Sequence, residues 1–567
     1  MMRLARLHSK RALTSLRGIV IWLGEFRNCA TAALGAPFGA TRPSYWDTMK
    51  STRRTALKTL LSGAALAPLA ANAKPTWGRG VEGQRKADLG NGTYLNPILS
   101  GDHPDPTILK DGDDYYMTFS SFLSYPGAVI WHSRDLVNWE PIVAALTKPI
   151  GSVWAMDLVK HNGRYFIYIP AEGSIYVIWA DNIRGPWSDP VDLHIDAIDP
   201  GHAVGEDGKR YLFVNGVRRI GLTDDGLATV GTLEKVYEPW RYPSDWVVEM
   251  FAPEGPKLLR RNGWYYLVLA VGGTSGPPTS HMVIAARSRS IHGPWENCPH
   301  NPLVRTRSDS EMWWSRGHAT LVEGPAGDWW MVYHGYENGY RTLGRQALLE
   351  PIEWTSDGWF KPKGGDLSSP LPMPKKGSAV PHGRAWSDDF TQDRFGMQWS
   401  FFNPGPDEMR RVRREAGSMT IAGKGTSPAD CSPLTCTAGD RSYEATVTLD
   451  ISGEGHGGLL LHYNERMFVG IGFSATHMRT YNYGQEQSWM REKMAVSTVR
   501  IRVRNDRNIV TFWYALGAGE WIQHPWQMEV SGMHHNVFGG FLSLKPGVYS
   551  AGEGAVRMRD FRYRALA

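Results

Sequence analysis

Apolar positions along the chain come in short alternating or continuous runs bounded by Gly, Pro, Asn and Asp, and seldom recur at helical spacing. That pattern predicts strands rather than helices. One combination, a turn signal followed at once by an aromatic, apolar strand, occurs five times. It reads Asp111-Gly112-Asp113-Asp114-Tyr115-Tyr116-Met117, His161-Asn162-Gly163-Arg164-Tyr165-Phe166-Ile167, Asp207-Gly208-Lys209-Arg210-Tyr211-Leu212-Phe213, Asn262-Gly263-Trp264-Tyr265-Tyr266-Leu267 and Gly327-Asp328-Trp329-Trp330-Met331-Val332. Asn-Gly and Asp-Gly supply the positive φ angles of tight hairpins, so each copy predicts two antiparallel strands.

Successive turn glycines lie 51, 45, 55 and 64 residues apart. An outer strand ending in a tryptophan anchor follows several of them, as in Ile130 to Trp139, Ile178 to Trp187 and Ala285 to Trp295. Units of about four strands at a period near 50 residues are propeller blades, and five units predict a five-bladed β-propeller over residues 93–367. Residues 74–92 and the Pro-, Gly- and Lys-rich stretch 368–384 read as linkers. Residues 385–567 alternate again, for example Tyr443 to Asp450, and predict a β-sandwich of the concanavalin-like jelly-roll type. The fold class expected is therefore all-β.

The first 73 residues hold 11 Lys/Arg against 2 Asp/Glu, which leaves 51 basic and 54 acidic residues in the remaining body. A body with net charge −3 has no basic excess for nucleic acid, and none is expected as a partner. Within that basic start, Met49 opens Lys50-Ser51-Thr52-Arg53-Arg54, followed by an apolar run and Ala71-Asn72-Ala73. The order resembles a twin-arginine export signal over 49–73, with 1–48 a mis-assigned extension and Met49 the true start. The run is too short for a permanent membrane span, so a periplasmic or extracellular protein free of the membrane is expected. Export permits disulfides. Of the four cysteines, only Cys431 and Cys436 are close enough in sequence to close a small loop.

A propeller points the start of each innermost strand at its axis. Reading back from each turn glycine gives Asp105, Asp157, Asp199, Glu254 and His318. Four carboxylates and a histidine converging on one funnel, in a chain that holds 24 Trp and 23 Tyr, suit glycosidic bond cleavage. One carboxyl must stay protonated to donate to the leaving oxygen while another is ionised, and close like charges separate two similar pKa values in that way.

The stretch Asn96-Pro97-Ile98-Leu99, then His103-Pro104-Asp105-Pro106-Thr107-Ile108, Asp113 to Tyr116 and His132 to Trp139, resembles the opening blade of glycoside hydrolase family 43. The similarity runs to about residue 360, and the C-terminal region resembles the accessory sandwich of β-xylosidase-like members. The resemblance implies an inverting mechanism: Asp105 as general base, Glu254 of Glu254-Gly255-Pro256 as general acid, and Asp199 of Asp199-Pro200-Gly201 orienting the acid and tuning its pKa. It implies a base-to-acid separation of roughly 6.5–9.5 Å, with room for the attacking water. It further implies that Arg345 hydrogen-bonds sugar hydroxyls, that Phe122 and Trp154 flank the terminal sugar with Asp157 nearby, and that His318 joins a hydrated calcium site in some members. No cofactor is required. The chain departs from the commonest pattern at Trp154-Ala155-Met156-Asp157, where Pro usually replaces Met156.

A second Glu-Gly-Pro, at Glu323, precedes a hairpin tip and reads as a solvated turn; Glu249 reads as a rim contact. Trp399, Phe401 and Phe402 are expected to give the sandwich an aromatic edge that narrows the pocket. The function expected is exo-acting release of terminal β-D-xylose or α-L-arabinofuranose from plant cell-wall oligosaccharides. An endo-arabinanase of the same fold and a non-catalytic sugar-binding propeller are the alternatives.

Overall fold

The computed structural model describes residues 76–566. The extension 1–48, the export signal 49–73 and the first two residues of the segment 74–92 lie outside them. The described chain is all-β, with a single four-residue α-helix at His535–Phe538.

Five antiparallel units follow one another, as the repeat predicts: four have four strands, and the fourth unit gains a fifth from Val304–Arg305. The first blade pairs Thr107–Asp111, Asp114–Thr118, Gly127–Ser133 and Glu140–Leu146 in chain order. The innermost strands of the others are Asp157–His161, Gly201–Val204, Glu254–Arg261 and Trp313–Glu323. Asn162 and Asn262 take φ of +48° and +50° at their hairpin tips, the left-handed turn geometry that the Asn-Gly pairs signalled. The ring is tied by the segment before the first blade: Asn96 Nδ2 donates to Leu349 O at 2.9 Å, and Leu349 N donates back to Asn96 Oδ1 at 2.8 Å. Packed apolar faces fill the gaps between blades, for example Phe166, Tyr168 and Val177 against Leu212 and Val214.

Two large sheets form the C-terminal sandwich. The longest strands are His456–Asn464 and Met467–Ser474 in one, Ser442–Gly453 and Gly554–Ala565 in the other, and Val447, Leu459, Ile501 and Phe512 are fully buried between them. The propeller joins this sandwich covalently and by hydrogen bonds. Ser124–Tyr125, from the first blade, pairs antiparallel with Ser400–Phe402 and so completes one sandwich sheet.

Both linkers prove to be built parts of the fold. In the first, Gly78–Arg79 pairs with Arg85–Lys86, and the buried Arg85 donates at 2.9 Å to Glu337 and Gln346 of the fifth blade and to Gly439 O of the sandwich. In the second, Leu371–Pro372 pairs with Thr93–Tyr94. Pro and Gly kept the period of regular strands out of these stretches without making them loose. Cys298, Cys431 and Cys436 are free and buried, and Cys431 and Cys436 pack in different apolar clusters, so the small loop is not closed.

Candidate active site

Four of the five axial residues read from the sequence meet at one end of the propeller axis. Asp105, Asp199 and His318 share an unusual backbone: φ is +56°, +57° and +62°. A left-handed residue costs about 1–2 kcal/mol, least for Asp and Asn, and three around one point mark a place where the surrounding structure dictates conformation. Asp105 and Asp199 sit two residues before their innermost strands, whereas His318 lies within the strand Trp313–Glu323.

Asp105 is held on every side. Arg345 Nη1 donates to its Oδ1 at 2.7 Å, Ser120 Oγ donates to Oδ2 at 2.6 Å, and its main-chain N–H donates to His334 Nδ1 at 3.0 Å. Burial by itself would raise this carboxyl, but the charges of Arg345 and His318 outweigh it and hold Asp105 well below the usual carboxylate range. Burial also keeps His334 neutral, at about 4.

Asp199 Oδ2 accepts from Gly255 N at 3.1 Å and from His318 Nε2 at 3.3 Å. It thereby fixes the peptide that carries Glu254. Gly255 itself is at φ +61°, and a Cβ there would meet the His318 ring at 2.9 Å, so the Glu-Gly-Pro turn needs glycine for both reasons. Glu254 keeps 21% of its side chain open. Its low-dielectric walls, then the Asp199 charge, push its pKa up to about 8, against the opposing pull of His318. The neighbouring carboxylates in turn raise His318 despite its burial. The site therefore contains one carboxyl driven to ionise and one driven to keep its proton.

Three buried histidines, His281, His318 and His334, stack in this wall, with ring centroids 5.3 Å apart between His281 and His334 and 5.9 Å between His318 and His334. The sequence reading found only His318. His281 precedes the third strand of its blade and His334 lies inside the second strand of the fifth blade, so neither falls at an innermost strand's start. A single polar residue in an otherwise apolar run, as in Tyr333-His334-Gly335, was the available signal. His318 Nδ1, His281 Nε2 and Arg345 Nε have no protein partner among the described residues. Buried polar atoms are ordinarily satisfied, and these three are closed to solvent as well as unpartnered.

Asp157 requires a correction. It does not face the sugar side: Oδ1 accepts from Lys257 Nζ at 2.7 Å and from Thr107 Oγ1 at 3.1 Å, and Oδ2 accepts from His202 N at 2.7 Å. Lys257 Nζ also donates to Met156 O and Pro200 O, so this pair rivets the blades together. Both residues line the axial channel, a cavity of about 290 Å³.

The aromatic walls are partly as expected. Phe122, buried and at φ +47°, lies 5.8 Å from the Arg345 guanidinium, and Trp154 is 38% exposed. The aromatic edge from the sandwich is a different one. Trp399, Phe401 and Phe402 are buried in the sandwich core, where Trp399 Nε1 donates to Asp388 at 2.8 Å. Phe541 takes the place assigned to them: its ring lies 5.2 Å from the Arg345 guanidinium and 5.8 Å from the Trp154 ring. The short helix before it is anchored to the propeller by Asn536, which donates to Ser275 O and Gly276 O. Glu249 accepts from Ser275 Oγ at 2.5 Å and Gly276 N at 2.7 Å, on the same rim. Glu323 lies at the outer end of its strand with 45% of its side chain exposed and Lys110 4.0 Å away.

His318 does not fit a directly bound calcium. It offers one unshared nitrogen, among the described residues no three His, Cys, Asp or Glu side chains are grouped for a metal, and calcium takes six to eight oxygens.

A five-bladed propeller under the edge of a C-terminal sandwich, with one carboxyl held ionised and another held protonated at its axis, has the acid and the base that cleavage of a glycosidic bond calls for. The chain belongs to glycosyl hydrolases family 43, whose family model matches residues 94–360, and residues 387–564 match the beta xylosidase C-terminal concanavalin A-like domain. A non-reducing end alpha-L-arabinofuranosidase of Bacteroides ovatus is 32% identical over 59% of this chain and 66% of its own length. A xylan 1,3-beta-xylosidase of Vibrio sp is 33% identical over 47% of this chain and 56% of its own. The crystal structure of a GH43 protein from Bacillus licheniformis superposes with a TM-score of 0.74 at 26% identity, covering 84% of this chain and 100% of that one. The chain thus spans less than two thirds of the length of the first two relatives, and the whole of the third.

Proposed function

We propose that this protein is an exo-acting, inverting glycoside hydrolase that releases terminal pentose, β-D-xylose or α-L-arabinofuranose, from plant cell-wall oligosaccharides. Asp105 is the general base, Glu254 the general acid, and Asp199 the group that orients Glu254 and raises its pKa. The observation that carries the reading is the split in protonation: Asp105 is stabilised as a carboxylate, while Glu254, with Asp199 beside it, is stabilised as an acid. In the reaction Asp105 accepts a proton from water as the water oxygen bonds to the anomeric carbon. Glu254 gives its proton to the glycosidic oxygen as that bond breaks on the opposite face. Arg345 and the histidine wall supply donors and acceptors for the ring hydroxyls, and Phe122, Trp154 and Phe541 pack on its apolar edge.

The relatives named for arabinofuranose and for xylose support a pentose, and of the two xylose is the reading adopted. The enclosed geometry between Phe541 and the propeller rim favours chain ends. The basic pair Arg53-Arg54 and the apolar run behind it support export to the periplasm or beyond.

The test is paired kinetics on chromogenic β-D-xyloside and α-L-arabinofuranoside, with proton NMR of the first-formed anomer. Inversion, and loss of most turnover in both Asp105→Ala and Glu254→Ala, are expected. Absence of hydrolysis on either pentoside, or first-formed product that retains its configuration, would sink the proposal.

A further inference from the structure

Outside the propeller site the sandwich carries an aromatic face that the fold does not use. Trp489 is 70% exposed, the largest exposure among the large hydrophobic side chains of the described residues. It sits in the tight turn Ser488–Met490 at the edge of one sandwich sheet, and its ring meets Trp526, on the edge strand Ile522–Glu529 of the other sheet, at 5.1 Å and 67°. The inner indole closes the gap between the two sheet edges. The outer one adds little to that closure and leaves most of its surface in water. Isolated exposed aliphatics are ordinary, but an indole held rigidly outward is a costly feature for a surface that binds nothing.

Its surroundings define what it fits. Glu486 holds Arg479 at 2.7 Å and Arg491 Nε at 2.8 Å, and Glu486 and Arg491 lie within three residues of Trp489 in the chain. Glu492 and Lys493 follow directly in sequence. A protein partner needs a broad apolar centre, of the order of 1,200 Å² buried in total, with charge kept to the rim. Here the exposed apolar side chains are few, Trp489 and Tyr483 with Ile522 on the Trp526 strand, and charged residues adjoin Trp489 in the chain. A sugar ring matches that plan: its C–H face lies on an indole while its hydroxyls, all equatorial in a xylopyranose, reach outward to carboxylate and guanidinium.

Two hydrogen bonds lead from this edge of the sandwich toward the segment that carries Phe541. Tyr483, 51% exposed, donates its hydroxyl to Glu529 O at 3.2 Å, at the end of the Trp526 strand. Beside it Gly484 packs on Arg466, whose guanidinium donates to Phe538 O at 3.4 Å. Phe538 ends the helix that leads to Phe541, and Val537 on that helix is 57% exposed.

We propose that Trp489, backed by Trp526 and continued by Tyr483, is a second saccharide-binding site. It takes the body of a pentose-based polysaccharide whose end, or whose side-chain end, enters the propeller. The proposal rests on the function stated above for the identity of the sugar, but binding at Trp489 does not require catalysis.

The experiment uses the full chain and its Trp489→Ala and Trp489→Phe variants. Retention on insoluble xylan and on insoluble arabinan is measured alongside kcat/KM on the chromogenic pentosides. Retention of Trp489→Ala should fall about tenfold, the effect of losing one good ring contact, with Trp489→Phe intermediate and kcat/KM on the small pentosides unchanged. Wild-type retention on neither polymer, or equal retention by wild type and Trp489→Ala, overturns the site. Light scattering supplies the remaining arm: a dimer that Trp489→Ala converts to monomer would assign the face to a second copy and overturn the proposal. Trp489-dependent retention without any pentoside hydrolysis would support this site while refuting the catalytic reading. Hydrolysis with retention indifferent to Trp489 would do the reverse.

Discussion

Lys257 Nζ lies 2.7 Å from Asp157 Oδ1, and both side chains are only 7% exposed. The pair holds the blades in register immediately beneath the carboxyls, since Lys257 also bonds to main-chain oxygens of Met156 and Pro200. Two buried charges that satisfy each other do little for net stability, but removing one strands the other. Lys257→Met should therefore lower the unfolding free energy by about 3–5 kcal/mol, measured by chemical denaturation. Adding Asp157→Leu should restore part of that loss, and a single variant as stable as wild type would contradict the rivet.

The two carboxyls set the pH profile. Glu254 acts while protonated, so kcat/KM should fall as pH rises through about 8. Asp105 acts while ionised and is held well below the ordinary carboxylate range, so the acid side should stay flat until far below neutrality. The Asp199 charge is one cause of the raised Glu254 value, so Asp199→Asn should move the alkaline limb to lower pH. A limb that stays in place would show that Asp199 does not tune the acid.

Phe541 and Phe401 should separate binding from stability. Phe541 lies against Arg345, and Phe541→Ala should raise KM on the pentosides by the equivalent of about 0.5–2 kcal/mol, with a small change in Tm. Phe401 is core, 1% exposed, and Phe401→Ala should cost about 3–5 kcal/mol of stability. The same change in KM for both would return the pocket edge to the Trp399 to Phe402 run.

Removing residues 385–567 should leave an insoluble or partly unfolded propeller. The cut strips the cover from Phe122, the partner strand from Ser124–Tyr125, and the Leu544 N to Thr342 O bond of 2.8 Å. Gel filtration and circular dichroism decide, and a monomeric truncated chain with native-like spectra and full activity would show the sandwich to be dispensable.

The propeller was legible because Asn-Gly and Asp-Gly turns recur at blade spacing, and that period also locates the strand starts. Asp105, Asp199, Glu254 and His318 followed from it. Asp157 followed too but was misplaced, because strand position gives no account of Lys257, which arrives from a distant blade and claims the carboxylate. His281, His334 and Ser120 escaped because they lie in or beside strands other than the innermost ones. Phe541 left no mark at all, since its neighbours in space are set by how the sandwich docks. Trp399, Phe401 and Phe402 looked like an exposed run because their burial depends on partners far along the chain, such as Phe561 against Trp399 and His462 against Phe402.

The strand borrowed from the first blade, Ser124–Tyr125, has a consequence for descent. A module that finishes its own sheet can be copied between genes and spliced behind unrelated catalytic units. Moved behind another catalytic unit, this sandwich would leave the Ser400–Phe402 edge unpaired unless the host presented a matching strand. The two halves are bound to diversify together, and a substitution that reshapes one is selected in the presence of the other.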